Sequence, residues 1–233
     1  MLIYLKLIAL CQKLSVGIII ILFTSLSCFS QAPDFLWAVK GGGAGIYSDG
    51  GYAIAADPFG NTYITGSFSG ESYFGDILLY GDGISAFAAK IDPSGSFLWA
   101  NVIESTVSVS GTGIGIDSSG NIFITGYFDD NAQIGDFYLS SSGSSDVYVA
   151  KLSASGEYIW AQRAGGSGID IATGISIDQN GNAVITGRYT GSPDFGDTHL
   201  ESSGDFDIFV SKIAPDGNFV WAISAGGKGG SPG

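Results

Sequence analysis

The sequence of this 233-residue chain repeats itself about every 61 residues. Each copy contains the motif Asp-x-x-Gly-Asn, then Ile-Thr-Gly, a Gly-Asp pair, a lysine and a closing Trp-Ala pair. The first motif starts at Asp57, Asp117 and Asp178, and a fourth Trp-Ala pair precedes the copies at Trp37. Several markers that share one period indicate a repeat architecture, in which each copy is one supersecondary unit.

Each copy predicts four short strands. Small and larger apolar residues alternate on the first strand, which is Ala53–Ala56 in the first copy. Asp-x-x-Gly-Asn then predicts a tight turn, because aspartate can bond the backbone two residues on and glycine accepts positive φ. The second and third strands are apolar on both faces, which is typical of strands that are covered on both sides.

This pattern predicts an all-β fold built from β-propeller blades. The small residues place the first strand at a crowded centre, and the Trp-Ala strand becomes the outer edge of the blade. A β-solenoid is the alternative, but its coils are usually shorter than a period of about 61 residues.

The motifs resemble a known family of repeats. Asp-x-x-Gly-Asn-x-Tyr-Ile-Thr-Gly, followed by aromatic-Val-Ala-Lys-Leu and Gly-x-aromatic-x-Trp-Ala, is similar to the bacterial SBBP-type β-propeller repeats, over residues 32–233. The resemblance implies four-stranded blades in an exported, cell-surface or cell-wall-associated protein, often beside adhesion or sorting modules. It implies little about activity, and no adhesion or sorting module is recognisable in this sequence.

The repeat region is predicted to occupy residues 31–233. It comprises an outer strand near 34–40, three units at about 50–100, 111–161 and 172–222, and the start of a further unit at 223–233. Propellers usually close with four to eight blades, so three units leave two apolar faces open to water. We therefore expect an incomplete propeller. Either the chain is a fragment of a longer protein that supplies the missing blades, or a partner or self-association covers the open faces.

Residues 1–30 predict a secretory signal peptide. They contain two lysines, no acidic residue and an apolar stretch that begins at Val16, with cleavage expected after Ser30. An uncleaved anchor is the alternative, but the apolar stretch is shorter than a span of roughly 18–20 residues. Lipid attachment at Cys28 is a further option. Both cysteines, Cys11 and Cys28, lie in this leader, so the mature chain is predicted to be secreted or cell-surface and free of disulfides.

The mature chain would be strongly acidic. Residues 31–233 carry seven basic and 22 acidic side chains, a net charge of −15. A nucleic-acid binder needs a basic face to neutralise phosphates, and an anionic membrane surface requires the same sign. Nucleic acid is therefore excluded as a partner, and an anionic membrane surface is disfavoured. The expected partner is a protein or a glycan of unknown identity, and no membrane span is expected in the mature chain.

Two repeated residues could bind ligands. The lysines Lys90, Lys151 and Lys212 could form a ring of amines, but a position required in every unit favours a structural ion pair with the repeated aspartate. The tryptophans Trp37, Trp99, Trp160 and Trp221 could stack on sugar rings, but packing of the outer strand is the preferred interpretation.

No catalytic, cofactor or metal site is predicted. Gly165–Asp170 matches the start of a calcium-binding GGxGxD nonapeptide, but that site needs consecutive repeats and this match stands alone. His199 is a lone histidine and Asp129-Asp130 a lone acidic pair. Gly229–Gly233 fits Gly-x-Ser-x-Gly in letters only, because Pro232 follows the serine where a nucleophile elbow needs a helix.

Variation between the units indicates where function lies. Residues 101–110, 129–133 and 201–207 differ most and are predicted to form loops on the propeller rim, where binding residues concentrate. We therefore expect a non-enzymatic scaffold that presents these acidic, aromatic-bearing segments to a protein or glycan. The alternative is a propeller hydrolase or lyase that acts on surface polysaccharide and needs convergent acid–base residues.

Overall fold

A computed structural model describes residues 36–43, 45 and 47–228, and these residues form an all-β protein. In this part of the chain there is no helix long and apolar enough to cross a membrane. The predicted leader, with Cys11 and Cys28, and the Gly229–Gly233 motif lie outside the described residues.

Three antiparallel four-stranded units follow a short strand β1 (Gly41–Gly43). The first unit contains β2 (Gly50–Ala56), β3 (Thr62–Phe74), β4 (Ile77–Ile91) and β5 (Phe97–Ser105). The second contains β6 (Ser108–Ile116), β7 (Ile122–Ile134), β8 (Phe137–Leu152) and β9 (Tyr158–Ala164). The third contains β10 (Asp170–Ile177), β11 (Ala183–Tyr189), β14 (Asp207–Ile213) and β15 (Phe219–Ala225), with a small hairpin of β12 (Asp194–Phe195) and β13 (Thr198–His199). Within each unit the four strands pair in chain order, so the predicted blade-like units are confirmed.

The second and third strands of the first two units are longer than the sequence pattern predicts. The segment that contains the Gly-Asp pair continues both strands as a long hairpin, whose two-residue tip starts at Gly75 or Gly135 with φ near +60°. Glycine accepts this conformation without strain, which makes the pair a tight hairpin turn. In the third unit Pro193 cannot donate to the ladder, and there the extension is the separate β12–β13 hairpin.

The outer strand expected near 34–40 is not found in its described part, because residues 36–40 are not in a strand. The strand β1 begins at Gly41 and pairs with the hairpin extension at Ser72–Phe74. The end of β5 pairs with the next unit in the same way, through Glu104 and Gln133. In each unit the outer, fourth strand pairs with the third strand of the same unit. The described residues before Gly41 contain no third strand with which residues 36–40 could pair. β1 therefore matches only the end of an outer strand.

Two hydrophobic cores lie between consecutive units. The first joins Tyr63 and Ile103 of the first unit to Phe128 and Tyr148 of the second. A similar core joins the second and third units. The inner strands are close at this point: a Cβ added at Gly115 would lie 2.8 Å from the side chain of Ile177. This contact explains the small residues of the first strand.

Candidate functional site

The repeated aspartate is committed to its own turn. In every unit its carboxylate accepts hydrogen bonds from the backbone N–H groups two and four residues on, and from the asparagine side chain of the motif, at 2.7 to 3.0 Å. These aspartates are Asp57, Asp117 and Asp178. Their oxygens therefore stabilise the turn that leads into the second strand.

The repeated lysines serve the same turns. Lys151 and Lys212 lie 3.6 and 2.8 Å from the repeated aspartates of their own units. The hydrogen bond from Lys212 is the main cause that holds the pKa of Asp178 well below its usual value. Lys90 lies 5.2 Å from the ring centre of Tyr63, where a cation–π contact replaces the direct pair. The structural interpretation of the lysines fits these positions.

Each of the first three tryptophans contacts the turn of the following unit. The indole N–H donates to a turn carbonyl at 3.0, 3.4 and 3.0 Å, from Trp37 to Pro93, from Trp99 to Ala154 and from Trp160 to Pro215. A glycine with φ above +90° lies beneath each indole, and a Cβ added there would approach the ring to 2.9–3.1 Å. These three tryptophans therefore pack against the following unit, which is the preferred structural interpretation for them.

The Gly165–Asp170 segment contains a buried carboxylate. Asp170 accepts the backbone N–H of Gly166 at 2.7 Å, and Asp146 nearby is paired with Arg163. Burial raises the pKa of Asp170 to about 6 and also raises the pKa of Asp146. Within the described residues no group of three or more acidic, histidine or cysteine side chains could hold a metal ion. The segment is a connection between units.

The other acidic and histidine candidates have local structural partners. His199 is exposed and its Nδ1 lies 2.7 Å from Asp194 across the β12–β13 hairpin. Asp129 accepts the Ser108 hydroxyl at 2.7 Å, so it links the first and second strands of its unit. Both contacts are made within a single unit.

The variable segments are mostly strands, and not the loops that the sequence predicts. Residues 101–105 end β5 and residues 129–133 lie in β7, because the hairpin extensions provide ladders for them. Residues 201–206 are irregular, as predicted. The structure brings 101–110 and 129–133 together, and places 201–207 in the third unit.

A cleft of about 290 Å³ lies where these two segments meet. Its walls are the hairpin extensions of the first and second units and the end of β5. Its lining residues are Tyr80, Asp82, Glu104, Ser105, Thr106, Asn131, Gln133 and Tyr138. Both tyrosines are more than 60% exposed, although each lies in a strand. The cleft therefore combines two accessible aromatic rings with carboxylate, hydroxyl and amide groups.

The repeat pattern does not predict the two tyrosines as site residues. Tyr138 occupies the position that holds Leu78 and His199 in the other units. Only the change of residue type at this position of the repeated hairpin could have marked it as a candidate site residue. Their location in one cleft depends on how the two hairpins pack, which the sequence does not show.

One residue beside the cleft has an unusual backbone. Asp130 has φ of +62° and is the only residue other than glycine with positive φ in the described part of the chain. It lies at a bulge in β7, where the other units have Gly70 and Gly191. Its carboxylate accepts the hydroxyl of Thr106 at 2.7 Å. Strain of this kind is often retained where it positions functional groups.

The repeated four-stranded units, with small inner strands and cores between them, define a β-propeller repeat protein. Residues 104–127 match the SBBP family, described as a beta-propeller repeat. This match confirms the resemblance to SBBP-type β-propeller repeats that the sequence shows.

Two relatives share the repeat region. The chain is 28% identical over 189 residues to an uncharacterized WD repeat-containing protein of Acanthamoeba polyphaga mimivirus, covering 69% of this chain and 13% of that protein. It is 30% identical over 186 residues to the regulatory protein FlaEY of Caulobacter vibrioides, covering 78% of this chain and 18% of that protein. The chain thus spans less than a fifth of the length of either relative.

A solved structure also aligns with the chain. This protein of unknown function from Bacteroides caccae is 10% identical, with a TM-score of 0.31, over 76% of this chain and 82% of that one.

Proposed function

We propose that this chain is an exported or cell-surface β-propeller scaffold that binds a glycan, without catalysis, in the cleft between its first two units. The observation that carries the proposal is the pair Tyr80 and Tyr138 beside Asp82 and Glu104 in one cleft. Export rests on the leader pattern of residues 1–30.

The lining chemistry favours a glycan over a protein. A tyrosine ring offers a flat apolar face to the C–H groups of a sugar, and its hydroxyl remains free to hydrogen-bond. Carboxylates accept hydrogen bonds from sugar hydroxyls, while the amides of Asn131 and Gln133 can donate and accept. A concave site with two rings and several polar groups suits a ligand of two or three sugar rings.

The enzyme alternative uses the same cleft. Asp82 and Glu104 both line it, and glycoside hydrolysis requires a pair of carboxyl groups. Release of new reducing ends from a bound polysaccharide, lost in Glu104→Gln, would replace the scaffold proposal by this alternative.

The binding test compares tyrosine variants on a glycan array and by titration with the best-bound oligosaccharide. Tyr80→Ala and Tyr138→Ala are each expected to weaken binding about tenfold or more, equal to about 1.4 kcal/mol. Tyr52→Ala is the matched control, because Tyr52 is similarly exposed at 57% and does not line the cleft. Equal losses in all three variants, or binding unchanged in the two cleft variants, would contradict a site in the cleft.

A second variant tests the strained residue. Asp130→Gly installs the residue found at this position in the other units, and is expected to raise the free energy of unfolding by about 0.5–1 kcal/mol because glycine accepts positive φ. Binding is expected to weaken, since Thr106 loses its acceptor. Urea unfolding and titration measure the two effects. A variant that binds normally would show that Asp130 has no part in the site.

A further inference from the structure

The cleft between the first two units contains an ordered row of side chains. Glu104 of β5 pairs with Gln133 of β7, which in turn pairs with Tyr138 of β8. Residues that pair across neighbouring strands share one face of the sheet, with Cα atoms about 5 Å apart. A carboxylate, an amide and an exposed aromatic ring therefore follow one another along one side of the cleft. Tyr80 and Asp82 of β4 add a second ring and a second carboxylate.

Three side-chain donors of the cleft are used inside the protein. Ser105 donates its hydroxyl proton to a backbone carbonyl at 2.8 Å, and Thr106 donates to Asp130 at 2.7 Å. The amide nitrogen of Gln133 donates to the carbonyl of Gly135 at 2.5 Å, which leaves the amide oxygen as an acceptor for a ligand. These side chains therefore offer a ligand mainly acceptors.

The two carboxylates of the cleft lack a positive partner. Both Asp82 and Glu104 are exposed, and neither takes part in an ion pair among the residues that the structure describes. The residues that line the cleft include no lysine, arginine or histidine. The cleft thus carries uncompensated negative charge beside two aromatic rings.

This combination matches a protonated amine. An ammonium group has hydrogen-bond donors and no acceptor, so it complements carboxylate and amide oxygens. Its bonds to carboxylates are charge-assisted, and the face of an aromatic ring attracts it as well. A sugar that carries carboxylate or sulfate groups would be repelled by the same charges.

We propose, on the basis of the glycan-binding function given above, that the cleft selects sugars with protonated amino groups. The ligand class is an amino sugar that lacks its N-acetyl group. Glu104 and Asp82 accept the N–H groups of the ammonium, and the rings of Tyr80 and Tyr138 pack against the sugar.

The test compares two oligosaccharides that differ only at nitrogen. A glucosamine tetramer carries free amines, and the same tetramer with N-acetylated nitrogens is neutral. Both are titrated into the full chain by calorimetry at about pH 5.5, where an amine is protonated.

We expect the glucosamine tetramer to bind about tenfold more tightly than the N-acetylated tetramer, because several modest attractions add at an exposed site. Glu104→Gln and Asp82→Asn should each weaken the binding of the amine about threefold. Both should leave binding of the N-acetylated tetramer almost unchanged, since an amide oxygen still accepts from a sugar hydroxyl.

The matched controls are Glu201→Gln and Asp205→Asn. They remove the same charges from the third unit, where both residues are exposed and do not line the cleft. Neither control should change either affinity. If Glu201→Gln weakens binding of the amine as much as Glu104→Gln does, the attraction comes from the acidic surface as a whole and the proposal is overturned.

The tyrosine variants separate this proposal from the glycan-binding function. If the N-acetylated tetramer binds as tightly as the amine and Tyr80→Ala weakens both, the cleft binds glycans without selecting amines. If neither tetramer binds, and no other sugar depends on Tyr80 and Tyr138, both proposals fail. A tetralysine peptide that binds more tightly than the glucosamine tetramer, and loses affinity in Tyr80→Ala, would identify a basic protein as the ligand.

Discussion

Trp160→Ala is expected to lower the free energy of unfolding by about 3–5 kcal/mol, the range for truncating a large buried aromatic residue. Trp160 is 8% exposed, its indole N–H donates to Pro215 at 3.0 Å, and its ring lies 5.9 Å from that of Phe123. The truncation removes this packing and leaves a cavity against Gly217. Urea unfolding followed by circular dichroism measures the loss.

The matched control is Trp221→Ala. Trp221 occupies the same position in the third unit, but it is 37% exposed and meets no turn in the described part of the chain. We expect this variant to lose less than half as much stability as Trp160→Ala. Equal losses would mean that the tryptophans act within their own blades, and that contact with the next unit contributes little.

Arg163→Ala is expected to lower the free energy of unfolding at pH 7 by about 3 kcal/mol. Arg163 pairs with Oδ2 of Asp146, whose side chain is fully buried, while Oδ1 of Asp146 has no hydrogen-bond partner in the described residues. Removing one member of such a pair leaves a buried charge without compensation. The matched control is Arg188→Ala, because Arg188 is exposed and contacts the ring of Phe206, so its loss should cost less than about 1 kcal/mol.

The pH dependence distinguishes this charge effect from lost packing. Burial raises the pKa of Asp146, and it raises that of Asp170 to about 6. A carboxyl group with a raised pKa binds a proton in the folded state before it does so in the unfolded state. Stability therefore increases as the pH falls from 7 to 5, by about 1 kcal/mol for Asp170 alone. The deficit of Arg163→Ala should shrink over the same interval, since Asp146 can become neutral. A deficit that is constant between pH 7 and pH 5 would indicate packing.

Much of the fold was predictable because its rules are local and repeated. The turns at Asp57 and its counterparts follow from short-range hydrogen bonds, and the small residues of the inner strands follow from crowding at the centre. The hairpin extensions were missed, since their alternation is interrupted by polar residues and a strand there depends on its partner. The outer strand expected near 34–40 is not found in residues 36–40 for a related reason, because the Trp-Ala motif marks a strand only where a third strand lies beside it.

The candidate cleft shows a different limit. Two of its segments were marked by variation between the units, but Tyr80 and Tyr138 became a pair only through the packing of two hairpins from different repeats. Residues about 60 positions apart meet there, and no spacing along the chain encodes that distance.

By itself, the sequence determined the period and the acidic character, which follow from residue order and composition. It also determined the four-stranded unit and the turn role of the repeated aspartates, since both depend on neighbours within one unit. Only the tertiary structure decided what the tryptophans contact, which faces stay open and where two tyrosines share a cleft. These properties arise between units, where a backbone carbonyl of one unit accepts a hydrogen bond from the next, or where a neighbouring sheet covers an apolar face.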